Sequence, residues 1–263
     1  MQPQQQSLFY LHIAVLLFGG TALFAKLIGL NALDITVYRT AIAGMAILTM
    51  LLLGKKQIKL NKPKDYFIAV FLGVAVGLHW VTYFAGMQMA GITIGMLAFF
   101  SYPVMTVFLE PLFNKNKPQA KDIISAGVVV LGIYLLVPSA DLGDDVTLGV
   151  ITGVVSALFF SIRNITHKRY FSQYGGPQTM FYQTLVASLM LCAFIEVPVY
   201  EVSNHDLILI AVAGIIFTAT PHSLFAASLK HLSAATAGLI SCLQPLYGTI
   251  LAIIIVHERP TLM

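Results

Sequence analysis

The sequence predicts an all-α integral membrane protein, built as a bundle of nine closely spaced transmembrane helices. Hydrophobic residues occupy 58% of its 263 positions and charged residues only 10%, whereas a soluble domain has about 45–50% apolar and about 25% charged residues. Too few charges remain to cover a water-facing surface. The net charge of +4 comes from short basic segments rather than a continuous stripe, so no nucleic-acid partner is expected.

Nine apolar segments approach or exceed the roughly 20 residues that a spanning helix needs. The segments between them are short, polar and rich in Gly or Pro, so none has room for a soluble catalytic domain. The predicted helices are Leu8–Leu30, Asp34–Leu53, Tyr66–Ala90, Ile92–Phe113, Ile123–Val137, Leu148–Tyr170, Gln178–Val197, Leu207–Lys230 and Ser233–His257.

The basic residues predict the orientation. With the N-terminus in the cytoplasm, eleven Lys and Arg residues fall in inner loops and one, Arg259, falls in an outer loop. Inner loops of membrane proteins carry this excess. The sequence thus predicts a multi-pass protein of the inner (plasma) membrane with a cytoplasmic N-terminus. The lysines between residues 54 and 65 are also placed to contact anionic membrane lipids.

An internal repeat is visible at an offset of 142 residues. Pro103 corresponds to Pro245, and the pair Lys117-Pro118 corresponds to Arg259-Pro260. The order of predicted helices three and four, with a short turn between them, recurs as helices eight and nine. We therefore divide the chain into residues 1–140, with helices one to five, and residues 146–263, with helices six to nine. An odd number of helices in each repeat inverts the second copy, which is typical of secondary transporters.

Several segments carry a family resemblance. They are FGGTALFAKL in helix one, TVYRTAIAGM in helix two, TYFAGMQMAGITIGMLAFFSYPVMTVFLEPLF in helices three and four, and LKHLSAATAGLISCLQPLYGTILAIIIVHERPT in helices eight and nine. In their order and spacing the sequence resembles the drug/metabolite transporter superfamily, in particular its EamA-type members. The resemblance implies ten helices in two inverted five-helix repeats, and export of amino acids or related metabolites by alternating access. We expect a tenth helix to follow Met263.

Enzyme motifs are absent from the sequence. It contains no GxxxxGK[ST] loop, no HExxH pair and no nucleophile with a partner base. Cys192 and Cys242 lie in apolar segments, which argues against a disulfide or a metal site. We therefore expect no catalytic residue, metal or cofactor, but a secondary active transporter of a small metabolite, with protons as the candidate coupling ion. The alternative is a non-transporting membrane protein, such as a lipid-handling enzyme or a sensor.

Five polar or aromatic residues near the middle of their helices predict a substrate site. Polar groups at this depth are costly unless they face one another, a cavity or water. His79 and His222 lie near the middle of helices three and eight, Trp80 and Tyr83 are close to His79, and Gln244 lies in helix nine. We expect these five to converge near the bilayer midplane. The alternative is that they only hydrogen-bond neighbouring helices.

Five further residues extend this candidate site. Tyr102 lies in helix four, Ser241 shares the predicted face of Gln244 in helix nine, and Tyr247 lies at its edge. Arg163 and Asn164 are adjacent within helix six. A buried arginine needs an anion, water or a carboxylate, so we assign Arg163 to substrate carboxylate binding or gating.

Two arginines have alternative interpretations. Arg163 could instead form an ion pair with Glu110 or extend to the membrane interface. Arg39 lies near the outer end of helix two, where a structural or interface-seeking role is favoured.

Small residues and prolines indicate packing and hinge positions. Gly73 and Gly77 form a GxxxG surface, which we expect to pack within the monomer. Pro103, Pro221 and Pro245 remove backbone hydrogen bonds within helices and are predicted hinges.

Overall fold

The computed structural model describes residues 2–114 and 145–247, together with a few positions between 120 and 131. Every regular element within these residues is helical, which confirms the all-α class. Six stretches are long and apolar enough to cross a membrane. The predicted fifth helix, Ile123–Val137, and the ninth beyond Tyr247 lie largely outside the described residues.

The helices follow the predicted order, with more interruptions than the sequence indicates. Short single-turn elements lie at Cys192–Phe194 and Val199–Glu201. The helices are α1 (Pro3–Thr21), α2 (Phe24–Leu27), α3 (Ala32–Leu53), α4 (Pro63–Ala90), α5 (Ile92–Phe99), α6 (Tyr102–Asn114), α7 (Asp145–Tyr170), α8 (Gly176–Leu191), α9 (Asn204–Gly214), α10 (Thr220–Ser228) and α11 (Ala234–Ser241).

The predicted fourth helix is two helices. α4 ends at Ala90 and is followed by Gly91, whose φ of 83° is in the left-handed region that glycine adopts without strain. α5 then runs to Phe99, and α6 begins at Tyr102 after a break at residues 100–101. Pro103 lies in the first turn of α6, where its missing N–H costs nothing. The prediction of a single helix over Ile92–Phe113 was therefore wrong in detail, because a new helix begins at the proline.

The second half of the chain repeats this interruption. α11 spans Ala234–Ser241, residues 242–243 form a turn, and a helix resumes at Gln244 directly before Pro245. Each of these boundaries lies 142 residues after its counterpart in α5 and α6. Two proline-associated breaks thus occupy equivalent positions.

The predicted eighth helix contains a wider turn before Pro221. α9 is followed by a π-helical turn, Ile215–Ala219, and then by α10. The Thr218 hydroxyl donates to the carbonyl five residues back, that of Ala213, at 2.7 Å. Pro221 cannot donate to the carbonyl of Phe217, which instead accepts from the Thr21 hydroxyl of α1 at 3.2 Å. The irregular turn is therefore fixed against α1.

Hydrogen bonds connect helix ends that lie on the same side of the membrane in the predicted topology. On the predicted cytoplasmic side, the Asn61 amide donates to the Tyr174 hydroxyl at 2.8 Å. Lys168 Nζ donates to the Leu229 carbonyl, also at 2.8 Å. These bonds connect the segments after α3, α7 and α10.

The opposite helix ends have their own contacts. The Asp34 carboxylate, in the first turn of α3, accepts from the amides of Glu196 and Val197 at 3.0 Å each. The Gly29 amide donates to Asp206 Oδ1 at 3.1 Å. These bonds connect the segments before α3, after α8 and at the start of α9, all of which the topology places outside.

Glycines let two pairs of helices approach closely, α4 with α8 and α7 with α5. Gly73 and Gly77 face α8, where an added Cβ would lie 2.4 Å from Val186 Cβ and 3.1 Å from Ala187 Cβ, respectively. The expected packing of this GxxxG surface within the monomer is confirmed. On α7, a Cβ added at Gly153 would lie 2.7 Å from Ala98 Cβ and 3.0 Å from the carbonyl oxygen of Gly95.

Replacing Gly153 with leucine is expected to destabilise the bundle by about 1–3 kcal/mol, the usual cost of overpacking. The new side chain would press α7 away from α5, where the obstacle is partly backbone and cannot rotate aside. The midpoint of thermal unfolding in detergent measures the effect. Gly127→Leu is the control, because this exposed helical glycine has nothing within 4 Å of an added Cβ. Equal midpoints for the two variants would contradict the packing.

Candidate functional site

A central cavity lies between α1, the central helices α3 to α7, α10 and the segment after α11. Its free volume is only about 30 Å³, enough for about two or three waters. The lining residues are Phe18, Thr21, Arg39, His79, Trp80, Tyr83, Phe99, Tyr102, Phe160, His222 and Gln244. Six of the ten predicted site residues are among them, including all five expected at the midplane.

Aromatic rings form most of the cavity wall. Phe99 and Tyr102 stack with ring centroids 4.8 Å apart, and Phe160 meets Tyr102 edge-on at 5.0 Å. Tyr83 contacts Phe99 at 4.9 Å. The turn at Gly91 folds α5 back on α4 and so brings Phe99 against Tyr83. Such packing is apolar but presents ring faces and edges to a ligand.

His79 has a hydrogen-bond arrangement that fixes its tautomer. The Ser156 hydroxyl donates its one proton to the His79 carbonyl at 3.0 Å. It therefore has to accept from His79 Nδ1, which lies 2.8 Å away. Neutral His79 thus carries its proton on Nδ1 and keeps a lone pair on Nε2.

His222 has the same neutral tautomer. Trp80 Nε1 donates to His222 Nε2 at 3.2 Å, so neutral His222 carries its proton on Nδ1. This buried Nδ1 has no hydrogen-bond partner. Trp80 and His222 are 142 positions apart, which is the offset of the repeat predicted from the sequence.

Arg39 is the site residue that the sequence analysis missed. Its side chain is fully buried, so the interface-seeking role was wrong. The guanidinium lies over the rings of Trp80 at 5.1 Å and Phe84 at 4.6 Å, and Nη1 donates to Thr218 Oγ1 at 3.2 Å. The sequence did contain a signal that Arg39 faces the protein interior, because the polar residues Thr36 and Thr40 lie close to it in the helix. Both are also buried.

Arg39 lacks a counter-charge within the described part of the chain. No acidic side chain there forms an ion pair with it, and its Nε and Nη2 atoms have no hydrogen-bond partner. A buried, uncompensated cation costs several kcal/mol or more. The aromatic faces offset part of this cost, about 2 kcal/mol when desolvated.

Gln244, which lines the cavity, hydrogen-bonds the end of an interrupted helix. At the end of α1 the Ala22 amide bonds to Gly20 rather than to Phe18. The Phe18 carbonyl instead accepts from Gln244 Nε2 at 3.2 Å. The interruption of α1 thus creates the acceptor that holds Gln244.

The remaining four predicted residues do not line the cavity. Ser241 is buried and donates to the Ala237 carbonyl at 2.8 Å, while Tyr247 is half-buried, with its hydroxyl 3.4 Å from His12 Nδ1. Arg163 and Asn164 are fully buried on α7, outside the residues that line this space.

Glu110 does not pair with Arg163, so that alternative was wrong. Both Glu110 carboxylate oxygens accept backbone amides at the start of α11, from Ala234 at 3.1 Å and Ala235 at 2.8 Å. A carboxylate is stabilised at this position by the free N–H groups of the helix. The buried Arg163 cannot reach an interface either, so both alternatives for it are excluded.

Residues that line the cavity carry N–H groups without a hydrogen-bond partner. Arg39 Nε, Arg39 Nη2 and His222 Nδ1 are all buried N–H donors without an acceptor. This combination of a cation, free donors and aromatic walls suits a small organic anion such as a carboxylate. Among the residues with described positions, no cluster of His, Cys, Asp or Glu is placed to hold a metal ion.

Comparisons with known proteins point to one family. The model of the EamA-like transporter family matches residues 5–137 and 147–263. The uncharacterized transporter YxxF of Bacillus subtilis is 25% identical over 256 residues, which cover 95% of this chain and 82% of the relative. The threonine/homoserine exporter RhtA of Escherichia coli is 26% identical over 252 residues, which cover 92% and 80%.

A solved structure has the same fold. A protein crystal structure aligns with a TM-score of 0.75 at 15% sequence identity, and the alignment covers 98% of this chain and 91% of that one.

Replacing Arg39 with methionine is expected to leave thermal stability unchanged or to raise it. An apolar side chain of similar length removes an unpaired buried charge, and such replacements are often neutral or stabilising. The thermal unfolding midpoint of the purified protein in detergent is the measurement. A loss of stability as large as that of Gly153→Leu would instead make Arg39 a structural residue.

Proposed function

The chain belongs to the EamA-like transporter family, and on this premise we propose that it is a secondary active transporter for a small metabolite. The substrate carries a carboxylate and is an amino acid or a related compound. The transporter exports it across the inner (plasma) membrane by alternating access. The observation that carries the substrate class is the buried Arg39, whose free N–H groups point to an anionic ligand.

A bound carboxylate would supply what the cavity lacks. It would accept from Arg39 Nε and Nη2 and provide the missing negative charge, an interaction worth about 1.5–3 kcal/mol for each charged hydrogen bond. The His79 Nε2 lone pair and the ring faces of Trp80 and Tyr83 are acceptors for an ammonium group. An amino acid carries both groups at a short separation.

The direction of transport is proposed from a relative. One protein similar over most of the chain is named a threonine/homoserine exporter, so threonine and homoserine are the first substrates to test. The absence of an ATP-binding loop favours an ion gradient as the driving force. Protons are our candidate coupling ion, because two imidazoles line the cavity.

Alternating access requires the helices to separate around the cavity. Its free volume of about 30 Å³ is too small for a metabolite, so the lining helices would have to move apart to admit one. We propose that residues 1–140 and 146–263 are inverted repeats that rock against each other. The equivalent breaks before Pro103 and Pro245 and the two family-model ranges support this division. The breaks are the proposed hinges.

The orientation proposed for the chain has the N-terminus in the cytoplasm. Its support is the eleven-to-one distribution of basic residues between inner and outer loops. The hydrogen bonds between helix ends are consistent with this alternation, since each connects segments assigned to one side.

Transport by the purified protein in lipid vesicles tests the proposal. Radiolabelled threonine, homoserine and a panel of other amino acids are expected to include at least one transported compound, and dissipation of the proton gradient is expected to slow its flux. His222→Ala or Gln244→Ala should weaken transport severalfold, because a neutral hydrogen bond contributes about 0.5–1.5 kcal/mol. Alanine variants of His79, Trp80 and Tyr83 complete the set.

Ser188→Ala is the matched control, because this hydroxyl only donates to its own helix, to Leu185, away from the cavity. All variants are compared at equal amounts of inserted protein. Wild-type flux in all five cavity variants would remove these residues from the substrate site. No flux of any compound, together with chemical turnover, would favour a membrane enzyme.

A further inference from the structure

A second polar cluster lies between α7 and α8, apart from the central cavity. We define the Arg163 cluster as Arg163, Asn164 and His167 of α7 with Thr179, Met180 and Gln183 of α8. All six side chains are fully buried, and none lines the central cavity. Both helices pack on α4 rather than closely on each other, so long side chains span the space between them.

Arg163 orients the amide groups around it. Its Nε donates to Gln183 Oε1 at 2.7 Å, and its Nη1 donates to Asn164 Oδ1 at 2.9 Å. The third contact, from Nη2 to Met180 Sδ at 3.2 Å, involves only a weak acceptor. Because both amide oxygens face the guanidinium, both amide nitrogens face away from it.

These and other groups of the cluster lack partners. Asn164 Nδ2, Gln183 Nε2, Thr179 Oγ1 and both ring nitrogens of His167 are buried without a hydrogen bond. Buried polar groups in folded proteins are normally satisfied, so such a concentration requires a ligand or water. Most of these atoms are donors, which need an acceptor.

The cluster also carries an uncompensated positive charge. Over residues 2–114 and 145–247, no acidic side chain forms an ion pair with Arg163. A cation surrounded by free amide, hydroxyl and imidazole donors is the chemistry of an anion site. Each of the three Arg163 nitrogens has an acceptor, but the two amide oxygens and the sulfur are all neutral and leave its charge uncompensated.

The cluster lies between the central cavity and one end of the bundle. His167 lies four residues after Arg163 on α7, and Thr179 lies four residues before Gln183 on α8. Both therefore lie closer to the connection 171–175. The basic residues assign this end to the cytoplasm. In the other direction, Met180 shares an apolar cluster with Trp80 of the cavity.

We propose that the Arg163 cluster is a second binding site, which holds the carboxylate of the transported metabolite on its way between the cytoplasm and the central cavity. The inference rests on the proposed function for the identity of the ligand. A carboxylate would pass from Arg163 to Arg39 past Met180 and Trp80. The anion would then be paired with a buried guanidinium group at each of the two sites.

Cysteine labelling in inside-out vesicles tests for such a site. Thr179→Cys is made in a chain with Cys192→Ser and Cys242→Ser, and is treated with an anionic ethylsulfonate or a cationic trimethylammonium methanethiosulfonate reagent. The anionic reagent is expected to react at least severalfold faster, and Arg163→Gln in the same chain should abolish this preference. Leu185→Cys, exposed on α8, is the lipid-facing control and should react with neither reagent.

His167→Cys is the second reporter, on the facing helix, for the case in which Thr179→Cys fails to insert. No reaction at either position, equal rates for the two reagents, or a preference that persists in Arg163→Gln would overturn the proposal. Labelling does not depend on transport. A charge preference without flux of any compound would contradict the proposed function alone, and flux without a charge preference would contradict the second site alone.

Discussion

The buried guanidinium of Arg39 is the constraint around which the rest of the site is arranged. A cation in the membrane interior, with no carboxylate partner in the described residues, is tolerated only where its surroundings replace water. Here the replacements are the ring faces of Trp80 and Phe84 and the hydroxyl of Thr218. They leave two donor atoms free. The proposed substrate class follows from this deficit, because a bound carboxylate would remove it.

Irregular backbone positions two of the polar groups in and around the cavity, Thr218 and Gln244. The π-helical turn before Pro221 presents Thr218 to the guanidinium, and the interruption of α1 supplies the carbonyl that binds Gln244. Non-helical backbone at membrane depth is tolerated where it is buried in protein or lines a cavity. The same interruptions divide long helices into shorter rigid pieces. In the proposed mechanism, substrate binding and helix movement thus depend on the same local features.

Much of this architecture follows from the sequence, because burying polar groups in lipid is costly. That rule identified His79, Trp80, Tyr83, His222 and Gln244, all of which line the cavity. It missed Arg39, which lies close enough to a helix end to resemble an interface residue. It placed Ser241 on the face of Gln244 by assuming a continuous helix, but the turn at residues 242–243 breaks that periodicity. Local interruptions depend on tertiary packing, so helical spacing alone cannot predict them.

Fluorescence of Trp80 offers the most direct test that Arg39 binds a carboxylate. Trp80 is the single tryptophan of the sequence, and its ring lies 5.1 Å from the guanidinium carbon of Arg39, so its emission reports on this cavity alone. Titration with threonine is compared with titration by threoninamide, which differs only in lacking the carboxylate. We expect a saturable change with threonine, none with threoninamide, and no response in Arg39→Gln. Equal responses to both compounds, or a threonine response that persists in Arg39→Gln, would contradict a carboxylate site at Arg39.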